Sequence, residues 1–264
     1  MSVRMATDSS AVLSHSVYGA GSLPIVFLHP IGLTQQFWSD IVARLGPEYR
    51  AVVIDLPGHG DSPLPAAPFS IRDVGQAVIT LLAALDLPPA IIVGCSFGGM
   101  IAQSVAIQNT TAAAGLVLAN TAYRIAPEQR GFIHQRAEAA MLGMERVTNP
   151  TVARWLSADF QARYPGRVAV IRTMLRAADP IAHAWSWRAI ADLDHAAELA
   201  ALAMPTLIVT GSEDQSASPQ AAAEFKSRLP HAEVTIMNGA GHLAPYEQDE
   251  VFTTLLETFV RRID

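Results

Sequence analysis

The chain carries 264 residues, half of them hydrophobic, and a formal net charge of −6. That apolar share is enough for a sizeable core and excludes a disordered chain, while the acidic balance argues against nucleic acid as a partner. No run approaches the roughly 18 uncharged apolar residues of a membrane span, so no membrane contact is expected. The opening MSVRMATDSS has no apolar stretch after it and does not read as a secretory leader. A single cysteine, Cys95, rules out an internal disulfide and fits a reducing, cytoplasmic setting. Nothing in the pattern specifies an oligomeric state.

LPIVFLH (23–29) and RAVVIDL (50–56) are short β-branched runs ending in turn residues, the pattern of buried parallel strands. IRDVGQAVITLLAALDL (71–87) follows Ser70, an N-cap candidate. It places Val74, Val78, Leu81, Leu82 and Leu85 on one helical face. AIIVG (90–94) reads as a strand, FGGMIAQSVAIQN (97–109) as a helix opening on glycines, and AGLVLAN (114–120) as another strand. Strand and helix in alternation predict right-handed crossovers and a mostly parallel sheet. From Thr121 to about Ala196 the alternation stops and helical patterns dominate, as in QRGFIHQRAEAAMLGMERV and GRVAVIRTMLRAA. It resumes with MPTLIVTG (204–211), a helix near 218–229, AEVTIMNG (232–239) and a last helix near 247–262. The expected organisation is an α/β core over 1–120 and 197–264 with a helical cap over 121–196.

Ligands of open parallel sheets bind beyond the carboxyl ends of the strands, so the residues after each strand are the candidates. After AIIV comes Gly94-Cys95-Ser96-Phe97-Gly98, a G-x-S-x-G with a strand before it and a helix after it. The glycines permit a sharp turn that lifts Ser96 above the sheet, and the first N–H groups of the helix aim at the same point. Cys95 falls one place early and is expected only to pack. After PTLIVT comes Gly211-Ser212-Glu213-Asp214, and after EVTIMN comes Gly239-Ala240-Gly241-His242, completing the order Ser…Asp…His. His242 would take the proton of Ser96, and Asp214 would orient the imidazole, with Glu213 as the competing acid. His59, His134, His183, His195 and His231 lack the strand-end context of His242. After PIVFL comes His29-Pro30-Ile31-Gly32. Pro30 has no N–H, so the backbone of Ile31, ahead of that of Gly32, is the expected oxyanion donor, paired with the backbone of Phe97.

LHPIG, DLPGHGDS, GCSFGG, GSEDQSASP and GAGHLAPYEQ, in this order and at these separations, resemble the α/β-hydrolase superfamily over nearly the whole chain. The resemblance implies the α/β-hydrolase fold, a mostly parallel sheet flanked by helices with a helical cap insertion. It also implies a serine hydrolase with Ser96, Asp214 and His242 as its triad and no cofactor. Haloalkane dehalogenases and epoxide hydrolases of this fold carry Asp as nucleophile, so Ser96 argues against both. CSFGGMIAQ, LVLANTA, RWLSADF and MPTLIVTGSED, with GHLAPYEQ late, are similar to 3-oxoadipate enol-lactonases of aromatic catabolism. Such enzymes hydrolyse a small enol-lactone that bears a carboxylate. They often carry a tryptophan early in the cap, where this chain reads QRGFIHQR with Gly131 and Phe132, which points toward a different lactone or ester.

Charge is unevenly spread. Residues 121–196 hold ten Arg against seven Asp or Glu, a net of +3, and the rest of the chain a net of −9. A basic cap would suit an anionic small molecule. Arg130 and His134 are the candidates to meet its carboxylate, and Trp155 and Trp187 the candidates for an apolar wall. No H-E-x-x-H, paired cysteine or dense His/Asp cluster points to a metal. Two other enzymatic readings compete, a general carboxylesterase and a hydrolase of C–C bonds in ring-cleavage products. Outside enzymes, a triad-bearing ligand receptor would be told apart by single-turnover behaviour.

Overall fold

The computed structural model describes residues 13–263. The opening decapeptide discussed above lies outside them. Seven strands form one sheet: β1 (His15–Tyr18), β2 (Pro24–Leu28), β3 (Arg50–Ile54), β4 (Ala90–Cys95), β5 (Ala113–Ala119), β6 (Thr206–Gly211) and β7 (Glu233–Met237). Their order is β1-β3-β2-β4-β5-β6-β7, and every pairing is parallel except that of β1 with β3. This is an α/β-hydrolase fold, and six of its strands occupy the six apolar runs of the sequence. β2, β4 and β6 are buried at every residue, because a parallel sheet is covered on both faces and its strands read as unbroken apolar runs. β1 carries no such signal. Its four residues, HSVY, are half-buried to exposed, and backbone pairing with β3 holds it at the sheet edge.

The helices that join these strands are α1 (Ser39–Leu45), α2 (Ile71–Ala84) and α3 (Phe97–Gln108). α2 begins on a complete capping box. The Ser70 hydroxyl accepts from the Asp73 N–H, and the Asp73 carboxylate accepts from the Ser70 N–H. Between β5 and β6 the chain makes a helical excursion through α4 (Pro127–Met141), α5 (Met144–Trp155), α6 (Ala158–Arg163), α7 (Pro165–Ala177) and α8 (Pro180–Ala191). The two ends of the excursion are tied together. Arg124 and Asp194 form an antiparallel bridge, the His195 N–H donates to Tyr123 O at 2.9 Å, and the Ile125 N–H donates to Leu193 O at 3.0 Å. The chain closes with α9 (Pro219–Arg228), α10 (Ala244–Glu247) and α11 (Asp249–Val260), and α11 packs against α1. Among the described residues no helix is long and apolar enough to cross a membrane.

Strand order decides where the site is. β3 lies on one side of β2 and β4 on the other, so the connections leave β2 and β4 in opposite directions. A crevice opens above the carboxyl ends of these strands, at the point where the winding reverses. The loop after β2 and the turn after β4 both face it.

Candidate active site

The turn after β4 is built around the absence of side chains. A Cβ on Gly94 would overlap the carbonyl of Gly98, and one on Gly98 would overlap the carbonyls of Leu28 and His29. With both positions bare, α3 starts directly against β2 and β4, and Ser96 is forced to φ 53°, ψ −116°. Such a conformation costs roughly 1–3 kcal/mol in a residue with a Cβ and must be held from outside. The Ser96 N–H donates to Ala119 O at 2.9 Å, and the Thr121 hydroxyl donates to Ser96 O at 2.7 Å.

Three strand ends converge at this point. His242, five residues after Met237 at the end of β7, lies with Nε2 2.9 Å from Ser96 Oγ. Its Nδ1 is 2.9 and 3.0 Å from the two carboxylate oxygens of Asp214, in the loop after β6. All three side chains are buried. Burial by itself would raise the Asp214 pKa, but it is outweighed. His242, the Asn120 side-chain amide at 2.9 Å and the backbone N–H of Ala217 bring the carboxyl down to about 2. Asp214 is therefore ionised throughout the neutral range. Glu213, the competing acid, is exposed, and its backbone N–H is spent on Ala240 O. Cys95 is buried with its thiol against His242 O, and burial and then Asp214 push its pKa well up, so it packs as a neutral thiol.

Ile31 sits in a tight turn after β2, closed by the Leu33 N–H donating to Pro30 O at 3.2 Å, with Gly32 at φ +72°. Phe97 is the first residue of α3, where N–H groups have no partner within the helix. Among the described residues, neither the Ile31 nor the Phe97 N–H has a protein acceptor.

Ser96 and His242 open into a cavity of about 430 Å³ roofed by α4, α5 and α8. Two other depressions are larger, at about 580 and 620 Å³, but neither contains Ser96 or His242. Trp155 and Trp187 line the cavity. The Trp155 carbonyl also accepts the N–H of His242 at 2.7 Å, tying α5 to the histidine loop. Arg130 and His134 do not line it; both are exposed. An α-helix turns about 100° per residue, and the face of α4 over the cavity is Glu128, Gln129, Phe132, Ile133 and Arg136, which leaves 130 and 134 rotated away.

Pattern reading passed over four residues here. Asn120, at the end of β5 with φ 48°, donates from Nδ2 to Asp214 and to Gly241 O, joining the loops after β6 and β7. The strand-end rule points to it as directly as it does to Ser96. Arg136 and Arg154 line the cavity where Arg130 was expected, and only helix phase finds them. Glu247 accepts from Gly241 N at 2.9 Å and from the Ser157 hydroxyl at 2.6 Å, clamping the start of α6 to the residue before His242.

A model of the alpha/beta hydrolase family matches residues 25–254. The chain belongs to that family. Among curated relatives of this α/β hydrolase, 3-oxoadipate enol-lactonase 1 of Acinetobacter baylyi is 29% identical over 99% of this chain and 98% of its own length. The enol-lactonase structure from Burkholderia xenovorans LB400 superposes with a TM-score of 0.89 at 27% identity, covering 94% of this chain and 96% of that one. A thermophilic esterase from Thermogutta terrifontis, solved with malate bound, gives a TM-score of 0.90 at 26% identity, covering 95% of this chain and 93% of that one.

Proposed function

We propose that this α/β hydrolase is a serine hydrolase of a small, carboxylate-bearing lactone or ester, similar to 3-oxoadipate enol-lactonases. Residues 121–196 act as its cap. The observation that carries the reading is the unbroken chain Ser96 Oγ–His242–Asp214, with steps of 2.9 Å each, at the floor of a cavity.

Ser96 attacks the substrate carbonyl while His242 Nε2 takes its proton. Asp214, already ionised, holds the Nδ1–H tautomer and stabilises the imidazolium. The N–H groups of Ile31 and Phe97 receive the tetrahedral oxyanion. The imidazolium returns its proton to the leaving oxygen, which stays tethered to the acyl group when the substrate is a lactone. Water, deprotonated by His242, then cleaves the acyl-enzyme and regenerates Ser96. No step calls for a cofactor. Ser96→Ala should lower kcat on an activated ester by about 10⁴-fold or more. Undiminished turnover by that variant, at matched folding, would remove the assignment.

A general carboxylesterase is the second reading, favoured by the likeness to the Thermogutta esterase. Comparing kcat/KM for an enol-lactone, simple neutral esters and a vinylogous diketone acid separates lactonase, esterase and C–C hydrolase.

A further inference from the structure

Among the described residues, a cation in the cavity roof stands without a counter-ion. Four arginines of the helical excursion are paired with carboxylates: Arg163 with Asp159, Arg167 with Asp40 and Asp249, Arg176 with Glu145, and Arg188 with Glu138. Arg136 is different. It is half-buried in the cavity wall, and among the described residues no carboxylate lies within ion-pair distance of it. Its Nη2 donates to the Thr151 hydroxyl at 2.8 Å, its Nε is buried without any partner, and its guanidinium lies 4.5 Å from the centre of the Trp187 ring. Arg154 lines the same wall and adds a repulsive charge. It is held by the Ser216 hydroxyl and Gln215 O, again with no acid. Burial and Arg154 depress the Arg136 pKa to about 10, which still leaves it charged at neutral pH. The acid that does reach the cavity, Glu128, is exposed at its rim.

An unpaired, partly desolvated guanidinium is costly unless something anionic completes it. Five donors in a rigid fork, with one spent on Thr151, suit a carboxylate. The lining that this cation shares with Ser96 is largely apolar, with Met100, Ile133 and Ile190 among it.

We infer that Arg136, held by Thr151 and Trp187 and with Arg154 as a second positive charge in the same wall, is the receptor for a substrate carboxylate, so the preferred substrate is a monoanion whose ester or lactone carbonyl is separated from its carboxylate by an apolar segment. This rests on the hydrolase reading of the same cavity and gives a specificity role to a residue of this chain. Arg136 holds the distal end of the substrate and takes no part in proton transfer.

The test pairs monomethyl glutarate with its neutral analogue, dimethyl glutarate, and adds free glutarate as a binding probe read by calorimetry. The ratio of kcat/KM for the half-ester over the diester should fall roughly 10- to 100-fold in Arg136→Met, the range expected for losing one charged hydrogen-bonded contact. Glutarate should weaken by a similar factor in Arg136→Met, and Arg136→Lys should recover part of both losses. An unchanged ratio with unchanged glutarate affinity overturns the inference. So does an equal fall on both esters without any change in glutarate binding, which marks a structural role. If Arg136→Met fails to fold, Arg136→Lys and Arg136→Gln carry the same comparison. If the wild-type protein hydrolyses neither ester yet binds glutarate through Arg136, the hydrolase reading fails and the receptor stands.

Discussion

The sheet and the helical excursion above it place their functional groups by different rules. Along the sheet, each group of the candidate site stands where a strand ends: Ile31 after β2, Ser96 after β4, Asn120 at the end of β5, Asp214 after β6, His242 after β7. Parallel strands in fixed register must end on one side, so their loops meet without further instruction. In the excursion, two arginines six residues apart on α4 have different fates. Arg130 faces solvent, and Arg136 faces the cavity. What separates them is the rotation of one helix against its neighbours. Where chemistry can happen is set by the sheet, and what it can happen to is set by the helices.

The most severe way to break this division is to disable one strand-end group without touching the roof. Asp214→Asn should lower kcat on an activated ester by about 10⁴-fold, because the amide cannot hold the productive tautomer of His242 or stabilise its cation. A loss under tenfold would show that another acid serves, and that position at a strand end is not sufficient.

The second test probes the seam between the two regions. His59 of the core and His183 of α8 are buried, and among the described residues His59 Nε2 and His183 Nδ1 have no hydrogen-bond partner. Burial pulls their pKa values down to about 4 and about 3, with mutual repulsion adding to the shift of His183. A histidine depressed in the folded state binds fewer protons there than in the unfolded chain. Its stabilising contribution is therefore complete above the unfolded value of about 6.5 and is lost as pH falls toward the folded one. Each should cost about 2 kcal/mol between pH 6.5 and pH 5. Asp214, depressed to about 2, loses its contribution only below about pH 4 and does not enter that window. Urea midpoints at pH 7 and pH 5 should differ accordingly, and His183→Gln should shrink the difference. A flat profile between those pH values would mean the seam is hydrated.

The last pair contrasts the regions at a single atom. Gly98→Ala in the turn after β4 forces a methyl into the carbonyls of Leu28 and His29 and should destabilise by about 1–3 kcal/mol. Gly131→Ala on α4 meets nothing within 4 Å and is exposed, so it should stabilise by about 0.5–1 kcal/mol. Chemical denaturation reads both. Equal effects in either direction would erase the distinction between a core packed on bare backbone and an open helical surface.

Legibility follows the same line. The apolar runs that became β2 to β6 announce themselves, because burial on both faces demands continuous hydrophobicity, whereas β7, at one edge, is mostly half-buried or exposed. β1 does not announce itself, since HSVY at the other edge is held by its backbone and needs no pattern. G-x-S-x-G is readable because its glycines recur at fixed spacing around Ser96, each where a Cβ would strike backbone: Gly94 against Gly98, and Gly98 against the end of β2. Arg136 is unreadable as a cavity residue because ten arginines share the excursion and nothing in their immediate neighbours marks the two, Arg136 and Arg154, that line the cavity.

The sequence by itself determined the α/β-hydrolase architecture, the turn that bears Ser96 and the order in which acid and histidine follow it. Period and glycine placement act over a few residues and survive in one dimension. Only the tertiary structure decided that Asp214 rather than Glu213 is buried against His242, that Asn120 joins their two loops, and that Arg136 stands unpaired over the cavity. Each of those depends on the direction of a side chain relative to elements tens of residues away, and packing alone sets that direction.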